Sequence, residues 1–241
     1  MIKVGVLGAG GRMGSASCSA VDAAEDMQLV ARVAGRDALA DLVTSGAEVA
    51  IEFTTPDSVM DNVRFLTSNG VHAVVGTTGL DEERLATIAS WAGESGSNVF
   101  VAPNFALGAV LMMVFAAKAA AYYDNAEIVE RHHEKKLDAP SGTAFRTAEL
   151  MAESHDGGFA TMGVSPGPSR GETHHGVRIH SLRLPGSVAH QEVVFGGTGE
   201  TLSIRHDSLD RSSFMPGVLM AVRKVPALPG LTVGLERLLD L

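Results

Sequence analysis

Met1-Ile2-Lys3-Val4-Gly5-Val6-Leu7-Gly8-Ala9-Gly10-Gly11-Arg12-Met13-Gly14 opens the chain with a short apolar run that passes directly into glycines. The run has the length of one β-strand, and the residues from Met13 onward can form a helix. Between them the spacing Gly8-x-Gly10, with a third small position at Gly11 or Gly14, suits a tight turn. In such a turn a pyrophosphate approaches backbone N–H groups at the positive end of a helix. Arg12 adds a cationic side chain at the same place, and Met13 follows it into the helix. Gly8, Gly10, Gly11, Arg12 and Met13 are therefore read as dinucleotide contacts.

Working outward, β-branched runs alternate with longer helical patterns as far as residue 104, the sequence form of a parallel α/β sheet. Strands are expected at Lys3–Leu7, Gln28–Val33, Val49–Phe53, His72–Val75 and Asn98–Val101. Helices are expected at Met13–Ala24, near Asp37–Val43, at Asp57–Ser68 and at Asp81–Ser95. Ligands of such sheets bind at the carboxyl ends of the strands. Phe53, then Gly76-Thr77-Thr78-Gly79, then Ala102-Pro103-Asn104-Phe105 occupy three of those ends. Phe53, Gly76, Thr77, Thr78, Ala102, Pro103, Asn104 and Phe105 thus join the expected cofactor contacts. The acidic residue that often ends the second strand is replaced by Ala34-Gly35, with Arg36 and Asp37 beyond. Asp37 suits a ribose hydroxyl and Arg36 suits a 2′-phosphate, so NADPH and NADH both stay open, with a lean toward NADPH.

Past Asn104 the pattern changes. One long apolar stretch, Ala106–Ala121, is interrupted by Lys118 and is shorter than the roughly 20 residues of a membrane span, so it reads as a buried core or subunit-interface helix. A strand near Glu127–Arg131, a helix from about Thr143 and strands at Val177–Leu184, Val188–Phe195 and Thr201–His206 follow. Between them Asp156–Gly176 reads as a long loop. The fold class expected is therefore α/β, an N-terminal Rossmann parallel sheet joined to an α+β domain with a mixed, largely antiparallel sheet. The domains are expected at 1–105 and 106–211, with 212–241 returning in helical form to the first.

Composition narrows the function. The 241 residues carry 28 acidic against 19 basic side chains, a formal charge of −9, which offers no general attraction to nucleic acid or an anionic membrane. An anionic ligand needs a local basic pocket. Cys18 is the single cysteine, which fits a reducing compartment, and no export signal is read at the N-terminus, so a cytoplasmic location is expected.

The densest polar cluster is Glu130-Arg131-His132-His133-Glu134-Lys135-Lys136-Leu137-Asp138-Ala139-Pro140-Ser141-Gly142-Thr143. His132 and His133 titrate near neutrality, Lys136 supplies a cation, and Ser141, Gly142 and Thr143 bring hydroxyls and N–H groups to a helix start. A small dicarboxylate held between Lys136 and that helix start could receive a proton from a histidine as hydride enters a conjugated imine. Consecutive histidines on an extended chain point to opposite sides, and no zinc spacing is completed, so no metal is expected. His174, His175, His180, His190 and His206 are read mainly as structural or solvent-facing.

Gly8–Gly14, Gly76-Thr77-Thr78-Gly79, Pro103-Asn104-Phe105 and above all Glu130-x-His132-His133-x-x-Lys136-x-Asp138-Ala139-Pro140-Ser141-Gly142-Thr143-Ala144 resemble the dihydrodipicolinate reductase (4-hydroxy-tetrahydrodipicolinate reductase) family of the diaminopimelate route to lysine. The resemblance runs nearly end to end, through Gly199-Glu200-x-Leu202-x-Ile204-x-His206 and Arg211-x-x-Phe214. It implies an NAD(P)H-dependent oxidoreductase in which His132 donates the proton and Lys136 pairs with a substrate carboxylate or shares in the protonation. It further implies that His133, Ser141, Gly142 and Thr143 hold the dicarboxylate, and that four copies assemble through the second domain's sheet. Ala34 and Gly10 depart from the family, which often has an acidic residue and a lysine there. The alternatives are another Rossmann dehydrogenase of aspartate or homoserine type, or a non-catalytic protein that senses NAD(P).

Overall fold

The computed structural model describes residues 1–35, 39–155, 158–159 and 168–239. It divides into two compact units, one of Met1–Leu107 with Arg211–Leu241 and one of Gly108–Asp210.

The first unit is built on a six-stranded sheet. Its strands are β1 (Ile2–Leu7), β2 (Met27–Val33), β3 (Val49–Glu52), β4 (His72–Val75), β5 (Val99–Val101) and one near the chain's end, Leu231–Val233. Every pairing is parallel, in the order β2, β1, β3, β4, β5 and then the C-terminal strand. The central parallel strands are covered on both faces, which is why β3, β4 and β5 are buried almost throughout and read as apolar runs rather than alternating ones, while the edge strand β2 exposes Gln28 and Arg32. The helices α1 (Arg12–Asp22), α2 (Leu39–Thr44), α3 (Val59–Ser68) and α4 (Glu82–Ser95) follow the first four strands. Leu7, Leu42, Leu66, Val75, Ile88 and Val99 meet in one core. Helix α4 begins at Asp81, whose carboxylate accepts the Arg84 N–H at 2.9 Å, and ends at Gly96 in the left-handed conformation with φ 72°.

The second unit contains α5 (Leu107–Ala120, starting at the boundary), β6 (Asn125–His132), α6 (Gly142–Glu153), β7 (Glu172–His174), β8 (Val177–Arg183), β9 (Ala189–Gly197) and β10 (Glu200–Ser208). Its five-stranded sheet runs β10, β9, β6, β8, β7. Only β6 and β8 pair in parallel, and the other three pairings are antiparallel. Ala126, Ile128, Ile179, Val193 and Phe195 point to the same side and pack with Ala116 of α5 and Ala148 and Met151 of α6.

The final strand, β11 (Leu231–Val233), joins β5 where only helical periodicity had been expected in that segment. Likewise the stretch read as one loop, Asp156–Gly176, contains β7 at the sheet's edge. Both strands have three residues, too few to establish an alternating pattern. The segment from Arg211 does turn helical, first as a short 3-10 turn and then as α7 (Met215–Lys224).

Ile128 is completely buried at the centre of the second core. Ile128→Ala should lower unfolding stability by about 2–5 kcal/mol, read as a lower urea midpoint by circular dichroism. An unchanged midpoint would show that β6 and α6 do not share a packed core.

Candidate active site

In the first unit the strand order reverses between β1 and β3, which makes their carboxyl ends the expected ligand crevice. A cavity of ≈ 420 Å³ lies there, lined among others by Gly8, Gly11, Val33, Ala34, Phe53 and Thr54. Gly8 has φ 77°, and a Cβ at this position would run into the Phe53 carbonyl oxygen. Only glycine lets the chain turn here. Gly11 is the N-cap of α1, and its N–H donates to the Gly8 carbonyl at 2.8 Å. The third small position, left open between Gly11 and Gly14, resolves to Gly14, since a Cβ there would collide with the Gly8 carbonyl oxygen. Gly14 thereby sets how closely α1 approaches the turn. Gly10 is exposed, Arg12 is exposed in the first turn of α1, and Met13 is half-buried beside it. A phosphate group fits this cradle of glycines and helix N-terminus. Arg36 and Asp37 lie outside the described residues.

The turns after β3 and β4 are held by one buried carboxyl group. Glu52, completely buried at the end of β3, accepts hydrogen bonds from the Thr54 hydroxyl, the Thr77 hydroxyl and, at 3.0 Å, the Asn62 amide. The Thr54 N–H donates to Thr77 Oγ1 at 2.8 Å. Thr77 therefore spends its side chain on the scaffold and offers a ligand only its backbone. Phe53 and Phe105 meet edge to face at 5.8 Å beside Gly76, and Asn104 Oδ1 accepts the Ala106 N–H at 2.9 Å. Ala102 is buried and Pro103 exposed, while Thr78 sits in the turn after β4.

The second unit holds the His-Lys-Ser-Gly-Thr segment. Alternation along β6 puts Ile128, Glu130 and His132 on the helix-covered face, and parallel pairing sets Arg183 opposite His132. Glu130 is completely buried. Arg183 grips it in a two-pronged pair, Nη2 to Oε1 at 2.8 Å and Nη1 to Oε2 at 2.9 Å. His132 Nδ1 lies 2.6 Å from Oε2, and the Ser141 N–H donates to Oε1 at 3.2 Å. Burial alone would raise the Glu130 pKa, but hydrogen bonds from His132, Arg183 and Ser181 outweigh it and bring it to about 2. As a carboxylate it can only accept, so His132 Nδ1 is the donor and Nε2 is left to face other chemistry.

Arg183 also ties down the loop. It donates to the Lys136 carbonyl at 3.3 Å and the Asp138 carbonyl at 2.6 Å. Within the loop, Lys136 Nζ binds both Asp138 carboxylate oxygens at 2.7 and 2.9 Å, and this holds the Asp138 carboxyl below its usual range. Ser141 caps α6, its hydroxyl accepting the Ala144 N–H at 3.2 Å. Gly142 and Thr143 form the first turn of that helix, and the space where a Gly142 Cβ would lie is open. His132, His133, Lys136, Ser141, Gly142 and Thr143 are thus gathered around one strand end and one helix start. His190 lies opposite Arg131 on the other face of the sheet, paired with Asp207 at 2.6 Å, and does not join them. His206 packs toward Gly108, and burial lowers its pKa, opposed by Asp207 and aided by His190. Glu130 and Arg183 are the residues that sequence reasoning missed as site-builders. The acid stood inside the motif, but the arginine lies 53 positions away, and nothing local marks it.

A parallel sheet with a phosphate turn at its switch point, joined to an α+β unit bearing a His-Lys segment, defines a two-domain nicotinamide-dependent oxidoreductase. Family models for dihydrodipicolinate reductase match over nearly the whole chain, the N-terminus model at residues 2–105 and the C-terminus model at 108–239. The chain belongs to the dihydrodipicolinate reductase family. It is 54% identical over 248 residues to the 4-hydroxy-tetrahydrodipicolinate reductase of Nocardia farcinica, covering 100% of this chain and 99% of that one. The corresponding protein of Streptomyces coelicolor is 52% identical over 250 residues, covering 100% and 98%. Among solved structures, the dipicolinate-bound dihydrodipicolinate reductase of Paenisporosarcina sp. TG-14 superposes with a TM-score of 0.86 at 38% identity, covering 99% of this chain and 100% of that one.

The buried Glu130 makes acid stability a direct readout. Its pKa falls from 4.5 to about 2 in the folded protein, so its contribution is complete above the unfolded value and is lost as pH drops from 4.5 toward 2. The contribution is on the order of 3 kcal/mol. Thermal midpoints followed through that window should fall less steeply for Glu130→Gln than for the native chain, and equal slopes would refute the assignment.

Proposed function

We propose that the chain reduces 4-hydroxy-tetrahydrodipicolinate, or the dihydrodipicolinate formed from it, to tetrahydrodipicolinate in the diaminopimelate route to lysine, with NADPH or NADH as cofactor. The single observation that carries the reading is the Glu130–His132 pair at 2.6 Å beside Lys136 and the α6 N-terminus, in a chain whose family is fixed along its length. When bound, the nicotinamide supplies the hydride. Gly8, Gly10, Gly11, Arg12 and Met13 would receive its phosphates at the start of α1. The ends of β3, β4 and β5, through Phe53, Gly76, Thr77, Thr78 and Ala102–Phe105, would wall the nicotinamide side.

In the second unit the dicarboxylate is held by Lys136, His133, Ser141 and the amides of Gly142 and Thr143. Lys136 exchanges its Asp138 partner for a substrate carboxylate. The exchange is mild because Asp138 is 60% exposed and hydrates readily when released. His132 Nε2 then delivers the proton that balances the incoming hydride, while Nδ1 stays on Glu130 and keeps the ring oriented. Ala34, at the end of β2, offers no hydrogen-bond acceptor to a ribose hydroxyl, which favours NADPH.

We also infer that four copies assemble through the open face of the second sheet. Val129 and Leu182 stand 37% and 39% exposed on the side away from the helices, between charged neighbours such as Arg131 and Arg205. Val129→Glu should convert the assembly to smaller species in light scattering coupled to gel filtration. An unchanged mass would remove this face from the interface.

The reaction is tested by consumption of reduced-nicotinamide absorbance in the presence of the preceding synthase's product. His132→Gln should lower kcat by about 10²–10⁴-fold with cofactor affinity intact. Lys136→Ala should act mainly through a raised KM. Normal turnover in His132→Gln would refute the assigned proton donor.

A further inference from the structure

Beyond the proposed reaction, a second cluster of ligating side chains lies on the second unit, away from the His132 segment in sequence. One ligand atom from each of Glu149, His174 and His175 lies within 4.8 Å of the other two. His174 ends β7, and His175 with Gly176 forms the two-residue connection to β8, where His174 pairs with Val177. Both connecting residues have positive φ, 48° at His175 and 82° at Gly176, the pattern of a type I′ hairpin turn. Asn, Asp or Gly normally fills the first such position, and histidine is among the residues that tolerate it. The turn alone does not call for an imidazole.

The spacing of the groups fits a cation better than it fits direct contact. His174 Nε2 lies 3.5 Å from Glu149 Oε1, long for a charge-assisted hydrogen bond. Two ligands held ~2.0–2.2 Å from a tetrahedral zinc stand roughly 3.3–3.6 Å apart, a separation that pair already has. His175 is exposed, so a side-chain rotation can bring its ring nitrogen inward. Phe145 meets the His174 ring edge to face at 4.7 Å and limits its orientation. Arg146 is shared between Glu149 at 3.1 Å and Glu153 at 3.3 Å. Those three side chains therefore carry one net negative charge, and Arg146 leaves Oε1 of Glu149 to the histidines.

We propose that Glu149, His174 and His175 form a binding site for a borderline divalent transition-metal ion such as zinc, with two imidazoles, one carboxylate and a fourth position for water. The donor set excludes magnesium and calcium as preferred occupants, since those ions take oxygen ligands. Bound metal would join the β7–β8 hairpin to α6.

The test uses the full chain stripped with chelator and titrated with zinc chloride by calorimetry, with cobalt(II) absorption reporting the coordination geometry. Expected are one zinc per chain at micromolar affinity, a tetrahedral cobalt spectrum and a rise in Tm with zinc. His175→Asn keeps a residue suited to the turn while deleting a ligand, and Glu149→Gln deletes one from the helix. Each should weaken zinc binding by about tenfold or more, with unchanged circular dichroism and unchanged turnover in chelator. Zinc binding equal to wild type in both variants, or no saturable binding, would overturn the proposal. Because the readout is metal affinity, it is separate from whether the chain reduces a dicarboxylate.

Discussion

A carboxylate with no exposure to water has to be compensated by its neighbours, and in the second unit Glu130 recruits that compensation from three separate pieces of chain. Arg183 brings β8, His132 brings the end of β6, and Ser141 brings the backbone that starts α6. The segment between His133 and Pro140 has little apolar burial to define it, and Leu137 is 97% exposed. It is fixed instead by guanidinium bonds to the carbonyls of Lys136 and Asp138. A polar loop acquires a set geometry because one buried charge anchors both of its ends. Removing Arg183 alone would strip that charge of its two-pronged guanidinium partner and leave it to His132 and the Ser141 N–H, a larger disturbance than losing the loop's own contacts.

The first unit solves a related problem with neutral partners. Glu52 also lies buried at a strand end, yet its hydrogen bonds come from two threonine hydroxyls and an asparagine amide. The choice of partners fits the ligand each unit is proposed to bind. A cation next to the nicotinamide wall would compete for phosphates meant for the α1 turn, whereas in the second unit a positive surround favours a dianionic substrate. In both units the buried carboxyl group that organises the strand ends is itself completely withdrawn from water.

The parallel sheet was legible because its central strands are buried on both faces and carry apolar runs, with glycine turns after β1 and β4. Gly8 was legible for a similar reason, since its conformation excludes other residues. Less was visible where structure depends on partners distant in sequence. β11 has three residues and owes its existence to β5, and β7 owes its own to β8. The motif around His132 announced titrating groups and a helix cap, but not the arginine that organises them. Thr77 looked like a ligand contact from its place after β4, and only the position of Glu52 reveals that its hydroxyl is already engaged.

Helix α6 connects the two kinds of chemistry argued for the second unit. Its inner face, Ala144, Thr147, Ala148 and Met151, is buried against the sheet, so the helix is seated as a rigid body. Its first turn carries the groups assigned to the dicarboxylate, while Glu149, seven residues after Gly142, stands about 10 Å further along the axis. A metal ion gripping Glu149 and the hairpin would reinforce a helix whose register is already fixed by packing. Its effect would therefore be felt in the stability of the unit, and little in the placement of Ser141 and Gly142. The same rigidity would let the proposed surface cluster and the proposed reaction site share one helix without sharing a mechanism.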